Sequence, residues 1–214
     1  MLLTLGCQSI TGTRPQQSNV LAMTHMAQTG FPRLMGLDLS LTSTGVSING
    51  ETFTIKPKTK GVERLAEISD HIIDWANRAM PIAVIIEGYS YGSKFSRAHA
   101  LGELGGSVKM MLYKSGFRTI EVPPKCRAKF ATGNGNSGKI DVLASLKIIA
   151  PVKFSEECDD DECDAWVLEQ MAYAEIGESP YKWSTAQMSA LDKVDWAPLY
   201  DALKGSKQWP EPLP

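Results

Sequence analysis

The chain has 214 residues, of which 43% are hydrophobic, so it is long enough to bury one good core as a single domain with tails. No apolar run approaches the ~20 residues that a membrane-spanning helix needs, and we expect no membrane partner. The formal net charge of −2 is not that of a uniformly basic nucleic-acid-binding protein. The four cysteines show no spacing typical of a zinc site, and we expect free thiols in a cytoplasmic protein.

The first part of the chain predicts a leader followed by three antiparallel strands. Residues 1–31 are polar and have no sustained period, which is typical of a disordered leader. The apolar run Leu34–Asp38 predicts a buried strand. Asn49-Gly50, a strong hairpin signal, then lies between two β-rich runs, Gly45–Asn49 and Thr52–Lys56.

The middle of the chain predicts alternating helices and strands. Val62–Met80 has apolar residues at helical spacing and is ended by Pro81. Ile82–Ile86 is wholly apolar, which is typical of a strand covered on both faces. The other predicted elements are a helix from about Phe95 to Lys114, a strand at Arg118–Val122, helices at Lys139–Ile149 and Asp160–Ile176, and one or two short helices after Gly177.

Four acidic residues stand where predicted elements end or begin. Asp38 ends the first strand, Glu87 follows Ile82–Ile86, and Asp161 and Asp164 lie three residues apart at the start of a helix. A strand that ends in a carboxylate brings it to a sheet edge, and acids at i and i+3 share one helix face. Together these groups form an all-oxygen set of the kind that Mg²⁺ prefers. The four acids therefore predict metal-assisted cleavage of a phosphodiester, in which two ions activate water and stabilise the leaving oxygen.

One of these ligands is ambiguous, because four acidic residues are contiguous at the start of the helix. Asp160 also lies one turn from Asp164, at i and i+4, so Asp160 and Asp161 are both candidates. The run as a whole also suits a helix N-terminus without any metal, because carboxylates stabilise the positive end of the helix dipole.

Four segments resemble the RuvC-type Holliday junction resolvases, which have the RNase H-like fold. They are Gly36-Leu37-Asp38-Leu39-Ser40-Leu41-Thr42-Ser43-Thr44-Gly45, Ile85-Ile86-Glu87, Thr132–Lys139 with its Gly-Asn-Gly loop, and Asp161-Glu162-Cys163-Asp164-Ala165. Each motif alone is weak, but four in the family's order, from about Leu34 to about Ala174, are a specific match. The resemblance implies an α/β RNase H-like fold, with a mixed five-stranded sheet flanked by helices, over residues 32–177. Residues 178–214 are then expected to form an extension that packs on the core.

The resemblance also implies an activity, a cofactor and an assembly. The activity is Mg²⁺-dependent nicking of branched DNA with two ions per site, in which Mn²⁺ can replace Mg²⁺ and no nucleotide cofactor takes part. The implied catalytic and metal residues are Asp38, Glu87, Asp161 and Asp164, and the family spacing favours Asp161 over Asp160. Two symmetric nicks in a four-way junction need two sites related by a two-fold axis, so we expect a homodimer, with Phe95–Lys114 as its candidate face. Leu39 stands where the family commonly has Pro, which suggests a divergent branch such as a phage or mobile-element enzyme.

The charges of the chain are segregated. The stretch from Lys94 to Lys147 has a net charge of +7, and the chain from Ala150 onward has a net charge of −9. A basic middle beside an acidic end is typical of a phosphate-contacting surface next to a metal site, although two solvated helices of opposite sign would give the same pattern. A Lys at a helix start can hold a phosphate, and a Tyr can stack on an unpaired base. The predicted DNA-binding residues are Lys139, Tyr89, Tyr91, Lys94, Lys125, Arg127 and Lys129.

Two other functions remain open at this point. An RNase H-like scaffold could bind DNA without cutting it. An actin-like or sugar-kinase ATPase also has a phosphate loop after a strand that ends in Asp. The ATPase hypothesis is the weaker, because we find no second Asp-x-Gly motif and 214 residues are few for a two-lobed fold.

Overall fold

A mixed β-sheet is the framework that positions the site. The computed structural model describes residues 32–88, 95–151, 153–154 and 159–205, and the predicted leader, residues 1–31, lies outside these ranges. The strands of the described part are β1 (Leu34–Asp38), β2 (Thr44–Ile48), β3 (Glu51–Ile55), β4 (Ala83–Glu87) and β5 (Arg118–Val122). Their order in the sheet is β3-β2-β1-β4-β5. The predicted mixed five-stranded sheet is confirmed.

The hairpin between β2 and β3 has the turn that its sequence predicts. Asn49 has φ 52° and Gly50 has φ 83°, and a two-residue hairpin of type I′ needs positive φ at both positions. β2 and β3 each begin one residue earlier than the predicted strands. β1 pairs with β2 in antiparallel register and with β4 in parallel register, so β1 lies at the centre of the sheet.

Helices cover the sheet and continue past it towards the C-terminus. They are α1 (Gly61–Ala79), α2 (Phe95–Lys114), α3 (Pro124–Thr132), α4 (Lys139–Ile149), α5 (Asp160–Glu175), α6 (Thr185–Met188) and α7 (Ala197–Gly205), with a 3₁₀ turn at Leu191–Lys193. None of the helices in the described ranges has the length and continuous apolarity that crossing a lipid bilayer requires.

Helix α3 is missing from the sequence-based prediction. Its buried side chains do not form a regular apolar stripe, so its period is not visible in the sequence. Its local signals are Pro124 at the first helical position, where Pro costs no hydrogen bond, and Gly133 at the C-terminus with φ 87°.

Helix α5 packs directly on the backbone of the two central strands. All its residues from Cys163 to Ala174 are buried. A Cβ atom on Gly36 of β1 would collide with the carbonyl oxygen of Ala165, and one on Gly45 of β2 would collide with that of Asp161. Glycine at these two positions therefore lets α5 lie against the sheet without an intervening side chain.

The C-terminal segment packs against α3 and the core. The rings of Trp183 and Phe130 lie 4.1 Å apart between centroids, and Trp166 contacts Tyr181 edge-on at 5.2 Å. Gln187 donates a hydrogen bond from Nε2 to the carbonyl oxygen of Ala131 at 3.1 Å. These contacts fix the C-terminal half of α3.

A buried carboxylate, Glu169, joins α5 to the β2–β3 hairpin. Ser47 donates a hydrogen bond from Oγ to Glu169 Oε2 at 2.5 Å, and the Gly50 N–H donates to the same oxygen at 3.0 Å. Burial raises the pKa of Glu169 from 4.5 to about 7, against the opposing effects of these donors and of Lys153. The folded protein therefore holds this proton at pH values where the unfolded chain has lost it.

This proton predicts a fall in stability as the pH rises. Because the folded-state pKa of Glu169 lies above the unfolded one, its contribution is complete below pH 4.5 and is lost as the pH rises to about 7. The loss is on the order of 3 kcal/mol in the free energy of unfolding. Glu169→Gln cannot ionise and keeps a carbonyl acceptor, so its stability should fall less between pH 5 and pH 8, as measured by urea unfolding. Glu63→Gln, at an exposed position of α1, is the matched control, and identical pH profiles for Glu169→Gln and the wild type would contradict the prediction.

Candidate active site

Asp38 and Glu87 lie at the same edge of the sheet. Each ends its strand, and β1 and β4 are parallel neighbours in which Leu37 pairs with Ile86. The turn after Asp38 is stabilised by a local hydrogen bond, in which the Ser40 N–H donates to Thr44 Oγ1 at 3.1 Å. Burial raises the pKa of Asp38 well above its usual value, and the negative charges of Glu87 and Asp164 raise it further. The strand ends thus bring together carboxylates that repel one another.

Helix α5 brings Asp164 to this edge. Asp159 caps the helix by accepting a hydrogen bond from the Asp161 N–H at 3.2 Å, and Asp164 follows one turn into the helix with 6% of its surface exposed. Burial raises the pKa of Asp164 to about 6, while Arg127 opposes this shift and Glu87 adds to it.

The contiguous acids at the start of α5 face different partners. Asp160 Oδ2 lies 3.3 Å from Lys139 Nζ in an ion pair. Asp161 is among the charges that raise the pKa of Asp38, whereas Asp160 acts on Asp164. Asp161 also raises the pKa of Lys139, so it lies within electrostatic range of both Asp38 and α4, whereas Asp160 forms the direct ion pair with Lys139.

Arg127 of α3 lies between two of the carboxylates. Its Nε donates to Glu87 Oε1 at 2.6 Å, and its Nη1 donates to Asp164 Oδ1. Only 13% of the side chain is exposed. Burial opposes the positive charge, but Glu87 and Asp164 outweigh it and raise the pKa of the guanidinium. One cation therefore links the strand end of β4 to helix α5.

The predicted DNA-binding residues Lys125, Arg127 and Lys129 do not share one face of α3. In a helix, residues 125 and 129 share a face one turn apart, and residue 127 points to the opposite side. Lys125 is exposed and Lys129 is half-buried, whereas Arg127 points into the carboxylates.

The donor set suits a hard divalent cation by its chemistry. Among the described residues, no three or more His, Cys, Asp and Glu side chains are grouped closely enough to form a ready metal cage. Glu87 and Asp164 instead close around the Arg127 guanidinium. Burial is the main cause of the raised pKa of Asp38, and the negative charges of Glu87 and Asp164 each raise it by more than the Arg127 cation lowers it. Oxygen ligands with uncompensated negative charge are what Mg²⁺ and Mn²⁺ bind.

The arrangement of strands and helices matches that of known resolvases. The structure "T. thermophilus RuvC in complex with Holliday junction substrate" aligns with a TM-score of 0.56 at 18% identity, over 72% of this chain and 100% of that chain. The structure of Thermus thermophilus RuvC alone aligns with a TM-score of 0.55 at 20% identity, over 71% of this chain and 99% of that chain. This chain has the RuvC-type, RNase H-like fold. Neither a protein-family model nor a curated protein sequence matches it.

The RuvC-type fold brings the predicted acids to one edge of the sheet. Asp38, Glu87 and Asp164 interact there, and Asp161 acts on Asp38 from the start of α5. Arg127 is the site residue whose place the sequence does not reveal. The signal that could have found it is the Pro124 helix start, since a helix at this point turns Arg127 away from its basic neighbours.

Of the remaining predicted DNA-binding residues, Lys139 lies beside the acidic start of α5. Lys139 begins α4 directly after the glycine-rich loop and is 64% exposed beside Asp160. Tyr89, Tyr91 and Lys94 lie outside the described residues.

Proposed function

We propose that this protein is a divalent-metal-dependent endonuclease that nicks branched DNA, with the four-way junction as its substrate. The observation that supports it most is that Asp38, Glu87 and Asp164 interact at one edge of a RuvC-type fold, where Arg127 pairs with Glu87 and Asp164. The similar RuvC structure was determined with a Holliday junction substrate, so this fold can carry that substrate.

The acids would hold the metal. Asp38 on the central strand would do so together with Glu87 from β4 and with Asp161 and Asp164 from α5. Two Mg²⁺ ions, or Mn²⁺ in their place, would supply activation of water and stabilisation of the leaving oxygen. Asp161 is preferred to Asp160 because it acts on Asp38, while Asp160 pairs with Lys139.

The DNA would approach over the lysines of α3 and α4. Lys139 lies beside the acidic helix start and would contact the backbone phosphate next to the cleaved bond. Lys125 and Lys129 would contact phosphates further away, and Tyr89, Tyr91 and Lys94 are proposed to complete the interface. We place this activity in the cytoplasm, in residues 32–177, with the segment after residue 177 as an extension of the nuclease domain.

A homodimer through α2 would provide the two sites that symmetric nicking needs. The outward side chains of this helix include Met110, 51% exposed, and Tyr113, 78% exposed. A Cβ atom on Gly102 or on Gly106 would meet nothing within 4 Å, so a second helix could approach closely there.

A scaffold that binds DNA without cutting it is the second candidate. The observation that favours it is the ion pair of Arg127 with Glu87 and Asp164, which neutralises part of the carboxylate set.

A strand-resolved nicking assay separates the two. Purified protein is incubated separately with a synthetic four-way junction, with a flap and with linear duplex DNA, each in Mg²⁺ and in EDTA. We expect paired symmetric nicks in the junction that disappear with EDTA. Equal cutting of flaps would broaden the substrate to branched DNA in general. Tight junction binding without any nick, over a range of Mg²⁺ and Mn²⁺ concentrations, would support the scaffold and refute the nuclease.

A further inference from the structure

We infer that Arg127 is an internal competitor of the divalent ion: it neutralises Glu87 and Asp164 in the ion-free protein and must release them before the ion binds. This inference rests on the proposed function, because it concerns the same carboxylates.

Arg127 occupies the candidate metal site through its contacts with two of the carboxylates. Its two donor nitrogens reach different elements, Glu87 on β4 and Asp164 on α5, so the guanidinium spans the gap between sheet and helix. A planar fork with donors in fixed directions suits two carboxylates at once, whereas a Lys ammonium is a single point charge. Each hydrogen bond engages one oxygen of a carboxylate, Glu87 Oε1 or Asp164 Oδ1, and a divalent ion held by the same two carboxylates would compete with the guanidinium for their negative charge.

The charge of the site explains why an internal cation is useful. Asp38, Glu87 and Asp164 repel one another at a poorly hydrated edge, which would spread them apart in the absence of a cation. Arg127 offsets that repulsion and keeps the carboxylates close. It also lowers the affinity of the site for a metal ion, because the ion must replace charge-assisted hydrogen bonds.

The release of the carboxylates would be confined to the side chain. The backbone of α3 is held by the buried Phe130 against Trp183, and its Ala131 carbonyl accepts hydrogen bonds from Gln187 Nε2 at 3.1 Å and Ser145 Oγ at 2.6 Å. Arg127 can therefore turn about its own side-chain bonds while α3 stays in place.

The test compares ion binding and stability in the wild type, Arg127→Gln and Arg127→Lys. Mn²⁺ affinity is measured by isothermal titration calorimetry without DNA, and melting temperature is measured in EDTA and in saturating Mn²⁺. We expect Arg127→Gln to bind Mn²⁺ about tenfold more tightly, because the ion no longer displaces a guanidinium. We also expect its melting temperature to fall in EDTA and to recover in Mn²⁺. The Mn²⁺ affinity of Arg127→Lys should lie between those of the wild type and Arg127→Gln. If Arg127→Gln does not fold, Arg127→Lys is compared with the wild type instead.

The matched control is Arg118→Gln, which removes the same group from an exposed position at the opposite end of the sheet. It should leave Mn²⁺ affinity unchanged. If the wild type binds Mn²⁺ and Arg127→Gln binds it equally or more weakly, the inference is overturned while the metal site stands. An equal melting deficit of Arg127→Gln in EDTA and in Mn²⁺ would make Arg127 a structural ion pair only. Absence of Mn²⁺ binding in every variant would overturn both the inference and the metal-dependent function.

Discussion

Asp38→Asn is expected to lower the rate of junction nicking by about 10³-fold, equivalent to about 4 kcal/mol of transition-state stabilisation. The substitution keeps the size of the side chain and removes the charge at the centre of the carboxylate set, where Glu87 and Asp164 act on it. Junction affinity, measured by electrophoretic mobility shift in EDTA, should change little, because the phosphate contacts come from other residues. Single-turnover nicking of a labelled junction in Mg²⁺ measures the rate.

The matched control for this loss of charge is Asp74→Asn. Asp74 is exposed on α1 and pairs with Arg78, away from the strand end. Its nicking rate should equal that of the wild type. Comparison of Asp161→Asn with Asp160→Asn then identifies the third ligand, and we expect the larger loss for Asp161. A nicking rate in Asp38→Asn near that of the wild type would remove Asp38 from the mechanism.

Gly36→Ala is expected to destabilise the protein by about 3 kcal/mol or more, or to prevent folding. The added Cβ atom would collide with the carbonyl oxygen of Ala165 and lie 2.9 Å from the Glu169 nitrogen. Both are backbone atoms of α5 and cannot turn away, so the helix would have to move off the sheet. Urea unfolding followed by circular dichroism measures the loss.

Gly205→Ala tests whether the effect is specific to Gly36. An added Cβ atom meets nothing within 4 Å at Gly205, which is exposed at the end of α7. Ala is a better helix former than Gly, by ~0.5–1 kcal/mol in a helix interior, and we expect a neutral or small positive effect at this helix end. A Gly36→Ala protein as stable as the wild type would show that α5 does not pack on β1 as described.

Much of the fold can be predicted because its signals are local. The apolar runs before Asp38 and Glu87 predict the two parallel strands, and Asn49-Gly50 predicts the hairpin. The acids of the site follow from these positions together with the resemblance to RuvC-type resolvases.

The features that cannot be predicted from the sequence depend on how the helices are rotated and how they pack on the sheet. Helix α3 has no regular apolar stripe, and its Pro124 start can indicate only that Arg127 points away from Lys125 and Lys129, not that it reaches the carboxylates. The choice between Asp160 and Asp161 depends on how α5 is rotated on the sheet, and adjacent residues of a helix differ by about 100° in direction. Both features are decided by tertiary contacts rather than by local pattern.

The direct contact of α5 with the glycines of β1 and β2 also affects how the sequence can change. At Gly36 and Gly45 the helix rests on the main chain, so its height above the sheet does not depend on the volume of any side chain there. Exchanges of one apolar residue for another elsewhere in the core would therefore disturb the spacing between Asp38 and Asp164 less than they would in a conventionally packed layer. The sequence of a protein packed in this way can diverge widely while its acidic residues keep their relative positions.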